Sequence, residues 1–349
     1  MLRDFCPGDQ KIPHSPMFPK PRKRFGQNFL QDSAIIDQIL AAIAPQPGDR
    51  LVEIGPGRGA ITQALLRRAG QLDVVEVDRD LIEPLRRSCQ GLGHLTIHQA
   101  DALTFELCSL AGPNGHGGAG HAPESESLTR GIHTNCHGAA RQLKDSERAS
   151  RDFHANCHEG ARHAPEDESL SRDLLAKGKV RVVGNLPYNI STPLLFRFLD
   201  QKACIQDLHL MLQKEVVERI VAPPGSRTYG RLSVMVQTWC QVQALFDIPS
   251  QAFFPAPKVQ SAFLRLLPLD PAPMAPRNRR HHAQLVALAF SQRRKTLRNS
   301  LKDLVGPADF ARLNLDPGQR AEELPVSAFV ALADLTCNTS SDFHLNGED

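Results

Sequence analysis

The sequence predicts an α/β fold built on a mostly parallel sheet, followed by a small C-terminal helical domain. Three observations carry that expectation. Strand-sized apolar runs alternate with helix-periodic stretches from about residue 33 onward. A glycine-rich turn, Gly55-Pro56-Gly57-Arg58-Gly59, joins the first of these runs to a helix. After Pro268, a linker with Pro271, Pro273 and Pro276 leads into residues 280–335, whose patterning is helical only.

Taken in order, residues 1–20 are proline-rich and aperiodic, which predicts a disordered leader. A helix starts after Asp32-Ser33, because Ile35, Ile36, Ile39, Leu40 and Ile43 fall on one face. Strands are expected at residues 51–54, 74–77, 95–97, 180–183 and 208–212, with helices at 61–68 and 81–88. Such alternation implies helices on both faces of a parallel sheet. Runs at 242–248 and 260–267 extend the sheet. The division is therefore an α/β domain over 21–268, a helical domain over 269–336 and a tail over 337–349.

One segment interrupts the α/β domain. Over about 112–173 the composition turns to Gly, His, Ser, Glu and Arg, and residues 132–141 recur as 153–162, 21 residues later. Each copy offers only one or two sizeable apolar residues, too few to bury a face. A disordered tandem insertion is expected. It precedes the strand at 180–183, so it should emerge at the edge of the sheet opposite the carboxyl ends of the strands, where ligands bind.

The bulk numbers narrow the function. The net charge is +3, but outside 111–175 there are 34 basic against 28 acidic residues, a balance that suits a polyanionic partner. No apolar run approaches the roughly 20 residues of a bilayer helix, and no signal peptide is visible at the N-terminus, so a cytoplasmic, monomeric protein is expected. The eight cysteines include no C-x-x-C pair, which reads as reduced thiols. His133, Cys136, His137 and their copies His154, Cys157 and His158 match no compact zinc spacing, so no metal is expected.

Two clusters carry chemistry. Around the glycine turn, Gly55 permits close approach of a ligand to the backbone. Glu76, 21 residues on at the end of the second strand, can accept from both hydroxyls of a ribose. Asp101-Ala102, after the third strand, can meet an adenine amino group and a ring nitrogen. A plain strand-to-helix turn, a dinucleotide site and a helix cap at Asp101 are the alternatives. The second cluster, Asn185-Leu186-Pro187-Tyr188, ends the fourth strand. An adenine amino group is a poor nucleophile because its lone pair is delocalised into the ring. The Asn185 side-chain oxygen and the Pro187 carbonyl, set against its two protons, would localise that pair and align it with a methyl donor. Tyr188 can stack on the base.

These residues lead to a family. Residues 23–30 (KRFGQNFL), the loop 53–59, Asn185 to Tyr188, residues 253–259 (FFPAPKV) and residues 292–297 (QRRKTL) closely resemble the KsgA family of 16S ribosomal RNA adenine dimethyltransferases. The likeness runs from about residue 20 to 335, apart from the insertion. It implies a Rossmann-like class I methyltransferase that uses S-adenosylmethionine to dimethylate two adjacent adenosines at N6, in a hairpin loop near the 3′ end of 16S RNA in the small subunit. Carried over by position, donor contacts fall on Asn28, Leu30, Gly55, Glu76, Asp101 and Asn185. Target-base contacts fall on Asn185, Tyr188 and, as a second stacking face, Phe253.

Residues 277–302 hold eight basic residues and no acidic one. Arg293, Arg294, Lys295 and Arg298 are the expected phosphate contacts, with Arg294 and Arg298 on one helix face. Lys20, Arg22, Lys23 and Arg24 are expected to grip the same RNA. Two other classes remain open: another adenine-N6 RNA or DNA methyltransferase, and a non-catalytic assembly factor.

Overall fold

The computed structural model describes residues 18–19, 21–22, 27–112, 178–270 and 272–337. Most of the leader, nearly all of the tandem insertion and almost all of the tail lie outside the described residues.

A two-residue strand β1 (Phe29–Leu30) enters helix α1 (Ser33–Ile43), capped by Asp32, whose carboxylate accepts from the amides of Ala34 and Ile35 at 2.9 and 3.2 Å. Ile35, Ile36, Ile39, Leu40 and Ile43 form its buried face, as their spacing predicts. There follow β2 (Leu51–Ile54), α2 (Ala60–Ala69), β3 (Gln71–Glu76), α3 (Arg79–Ser88) and β4 (His94–Gln99). The chain resumes at β5 (Val180–Asn185), α4 (Ser191–Asp200), β6 (Ile205–Gln213), α5 (Lys214–Val221), α6 (Arg231–Gln237), β7 (Cys240–Ile248), β8 (Phe253–Phe254) and β9 (Ser261–Pro268). The last helices are α7 (Arg279–Ala289), α8 (Leu297–Ser300), α9 (Pro307–Arg312) and α10 (Val326–Thr336).

Seven strands form one sheet in the order β4-β3-β2-β5-β6-β9-β7. The first five are mutually parallel, and β9 runs antiparallel to both β6 and β7. The expected α/β fold with a mostly parallel sheet is what the chain adopts. The order reverses between β2 and β5, and at such a switch point the crevice beyond the strand ends receives a ligand.

A second, two-stranded sheet pairs β1 with β8. The C-terminal helices share a core with the sheet domain. Leu285 and Val286 of α7 and Phe329 of α10 lie in one apolar cluster with Leu210 of β6 and Val234 of α6.

Two features of the fold join distant parts of the chain. Arg181 on β5 is buried among Asp207 of β6, Asp49 and the Ile43 carbonyl, donating at 2.6 Å to each of the last two and at 3.0 Å to Asp207. Cys108 and Cys204 form a disulfide with their Cα atoms 5.2 Å apart, which corrects the expectation that all the thiols are reduced. The two are 96 residues apart in sequence. They meet because Gln201, at the end of α4, holds the Phe105 carbonyl and the Leu107 amide. The amide of Gly112 donates to the carbonyl of Gly178 at 3.0 Å, so the described residues that flank the insertion meet beside the start of β5. That is the end of the strand remote from Asn185, as expected.

Candidate functional site

The carboxyl ends of β2, β3 and β5 border a cavity of about 280 Å³, just under the usual range of pre-formed ligand sites, roughly 300–1,000 Å³. Its floor is the glycine loop. Gly55, Gly57 and Gly59 have φ of 68°, 58° and 81°, a left-handed conformation that side chains other than glycine rarely adopt. A Cβ on Gly59 would come within 2.7 Å of Leu85, and one on Gly57 within 3.0 Å of Phe29. The loop therefore brings bare backbone to the cavity and opens α2 with a glycine cap.

Glu76 ends β3 and is 5% exposed. One carboxylate oxygen accepts from the Asp78 amide at 2.8 Å and the other from the Gly57 amide at 3.3 Å. Burial pushes its pKa up, and these backbone donors pull it back. A carboxylate has about four acceptor positions, so these donors leave it capacity to accept from a ribose hydroxyl. Glu53, also on the cavity wall, is raised to about 7 by its burial, although the Thr62 hydroxyl donates to it at 2.6 Å.

Asp101 lines the cavity, and one of its oxygens accepts from the Leu103 amide at 2.9 Å. The cap alternative is thus real in part: Asp101 fixes a turn with one oxygen and keeps the second. These residues fit an adenosine-bearing methyl donor, with bare backbone over the loop, a carboxylate for a ribose and a second carboxylate for an amino group.

The other wall is the Asn185 cluster. Gly184 explains how that wall closes on the glycine loop: a Cβ there would lie 3.0 Å from the Ile54 carbonyl, so only glycine lets β2 and β5 approach. The Asn185 amide nitrogen donates to the Asn28 carbonyl at 3.0 Å, which turns its oxygen the other way. The Pro187 carbonyl accepts from Ile190 at 3.1 Å and keeps its second lone pair. Tyr188 is tethered by its hydroxyl to Ser261 at 2.7 Å, so the orientation of its ring is set before any base arrives.

Asn28, Leu30, Gly55, Glu76, Asp101, Asn185, Pro187 and Tyr188 all line this cavity. Phe253 does not. It is 4% exposed and packs with Leu30, Ile248 and Ala252, because its register opposite Leu30 points it into the core. The exposed ring on that strand is Phe254, at 41%. Sequence reasoning also passed over Ser261, whose only local signal is a small polar residue at the start of a strand.

The basic segment departs from expectation. Arg294 lies in a turn ahead of α8 and Arg298 within it, so they share no helix face. The break comes where Thr296 bridges Arg320. Arg293 donates to the Arg227 carbonyl at 2.7 Å, while Arg294, Lys295 and Arg298 stand exposed. Arg22 is paired with Asp78 at 2.9 Å and with Asp80, which removes it from the proposed RNA grip. Lys20, Lys23 and Arg24 lie outside the described residues.

Residues 19–336 match the family model described as ribosomal RNA adenine dimethylase. A protein of Xylella fastidiosa named ribosomal RNA small subunit methyltransferase A is 43% identical over 320 residues, covering 91% of this chain and 97% of its own. Its namesake in Acidithiobacillus ferrooxidans is 42% identical over 318 residues, covering 91% and 95%. Among solved structures, a dimethyladenosine transferase from Plasmodium falciparum shares the fold at a TM-score of 0.62 with 21% identity, over 90% of this chain and 98% of its own. The 23S rRNA methyltransferase ErmE does so at 0.56 with 19% identity, over 89% and 100%.

Proposed function

This chain belongs to the ribosomal RNA adenine dimethylase family, and from that premise we propose that it dimethylates two adjacent adenosines at N6 in the 16S RNA of the small subunit. It is a methyltransferase that takes its methyl groups from S-adenosylmethionine and modifies adenine in ribosomal RNA. The observation that best supports the finer reading is the facing of Asn185 and the glycine loop across one cavity, with the Asn185 oxygen turned away from Asn28.

When bound, the donor supplies an electrophilic methyl group. The protein's part is to hold and polarise the acceptor. The Asn185 oxygen and the Pro187 carbonyl take the two amino protons of adenine, which localises the nitrogen lone pair and aims it at the donor side. Tyr188, its ring fixed by Ser261, stacks on the base. The amino nitrogen loses its proton readily once methylated, so no strong base is needed. Phe253 keeps β8 paired with β1, and so holds Asn28 and Leu30 at the cavity wall. Arg294, Lys295 and Arg298, with Arg293 beside them, position the phosphates. The protein acts as a monomer in the cytoplasm.

Mass mapping of methylated adenines tests this, after incubation with labelled donor and undermethylated small subunits. Two adjacent dimethylated adenosines are expected; small subunits that acquire no dimethyladenosine would refute the assignment. Glu76→Ala is expected to weaken donor binding roughly 100-fold, since charged hydrogen bonds contribute about 1.5–3 kcal/mol each. Calorimetry showing unchanged affinity would move the ribose site elsewhere. Charge reversal at Arg294 and Arg298 together should lower RNA affinity and flatten its salt dependence, because fewer counterions are released. An unaltered salt slope would leave both as ordinary surface charges.

A further inference from the structure

Among the described residues only four large hydrophobic side chains are exposed: Val77, Phe254, Val259 and Met274, at 50, 41, 44 and 37%. Three of them lie on segments that are tied to residues of the cavity wall. Val77 lines the cavity. Phe254 stands opposite Phe29 in the β1–β8 pair, and residues directly opposite in an antiparallel pair project to the same face. Phe29 in turn lies in the cavity wall, against the glycine loop. Val259 is two residues before Ser261, the partner of Tyr188. The loop over residues 255–260 is thus anchored to the cavity at both ends.

Its chemistry suits one kind of partner. Pro255 and Pro257 restrict the backbone, so the loop presents its side chains at low entropic cost. From residue 248 to 269 there is no acidic residue, and Lys258 is exposed within the loop. An apolar, cationic, stiff surface beside a base-sized cavity matches the needs of an RNA from which one base has been drawn out. The neighbours of that base lose their stacking and gain by finding a ring or an apolar face in its place.

We infer that Phe254 and Val259 form a platform for the unpaired nucleobase adjoining the adenosine in the cavity, with Lys258 beside its phosphate. This rests on the reading of the cavity as an RNA-adenine site. Stacking of this kind is tolerant of base identity, so the platform contributes affinity and alignment and little sequence preference.

The test uses the full chain with undermethylated small subunits, and with the RNA fragment around the mapped adenosine. Phe254→Ala should raise KM for the subunits about 10-fold, leaving kcat within twofold and both donor affinity and melting temperature unchanged. Phe254→Trp should restore KM. With the fragment, an abasic nucleotide on one side of the adenosine should weaken binding to the wild type, yet add little to the loss in Phe254→Ala. An unchanged KM in Phe254→Ala would overturn the platform while the methyltransferase reading stands, and so would abasic and alanine effects that simply multiply on both sides. Wild-type protein that methylates no adenine would overturn the reading of the cavity, and the platform with it.

Discussion

Asn185→Ala is expected to lower the single-turnover rate of methyl transfer by about 100- to 1,000-fold, the loss typical of one pre-organised acceptor or donor at a reacting centre. The effect is large because the side chain has two jobs at once. Its oxygen is the acceptor for an amino proton, and its amide nitrogen, donating to Asn28 at 3.0 Å, pins the strand that borders the donor side. RNA affinity should stay within about twofold, since phosphate contacts elsewhere supply most of it. A rate within about threefold of wild type would sink the proposed activation of the amino group.

The second large effect concerns the framework. Arg181 joins β5 to β6 and to the end of α1 through Asp207, Asp49 and the Ile43 carbonyl. Burial disfavours its charge, but Asp207 and Asp49 more than offset that, so its pKa is raised. Arg181→Met leaves the Asp207 carboxylate, 4% exposed, without its cation. Breaking a buried pair from one side costs about 3–5 kcal/mol. For a chain of this size that is a fall in melting temperature of roughly 10 °C. Adding Asp207→Asn to the Met variant should recover a good part of the loss, because the stranded charge is then gone. A fall under about 3 °C, or no recovery, would mean that the cluster is well solvated and contributes little. Since β5 ends in Asn185, the same variant should also lower activity at temperatures where it remains folded.

Much of this was legible in the sequence, for a physical reason. Helix and strand periodicity, the Asp32 cap and the positive-φ glycines of the loop are local constraints, written where they act. Motifs at strand ends carry the site for the same reason. In a parallel sheet every strand end falls on one face, so Gly55, Glu76, Asp101 and Asn185 meet there once the alternation of elements is known.

What depended on partners distant in the chain could be decided only by the tertiary structure. Register against β1 sent Phe253 into the core and Phe254 outward, and a one-residue difference inverts the face of a strand. A turn, closed by a bridge between Thr296 and Arg320, separated Arg294 from the helix of Arg298. Packing of the segment after Asp101 on α4 brought Cys108 to Cys204. Burial turned Arg181, an ordinary charge in the sequence, into the centre of a buried ionic cluster. Each of these outcomes is set by which surfaces meet, a quantity that no local pattern contains.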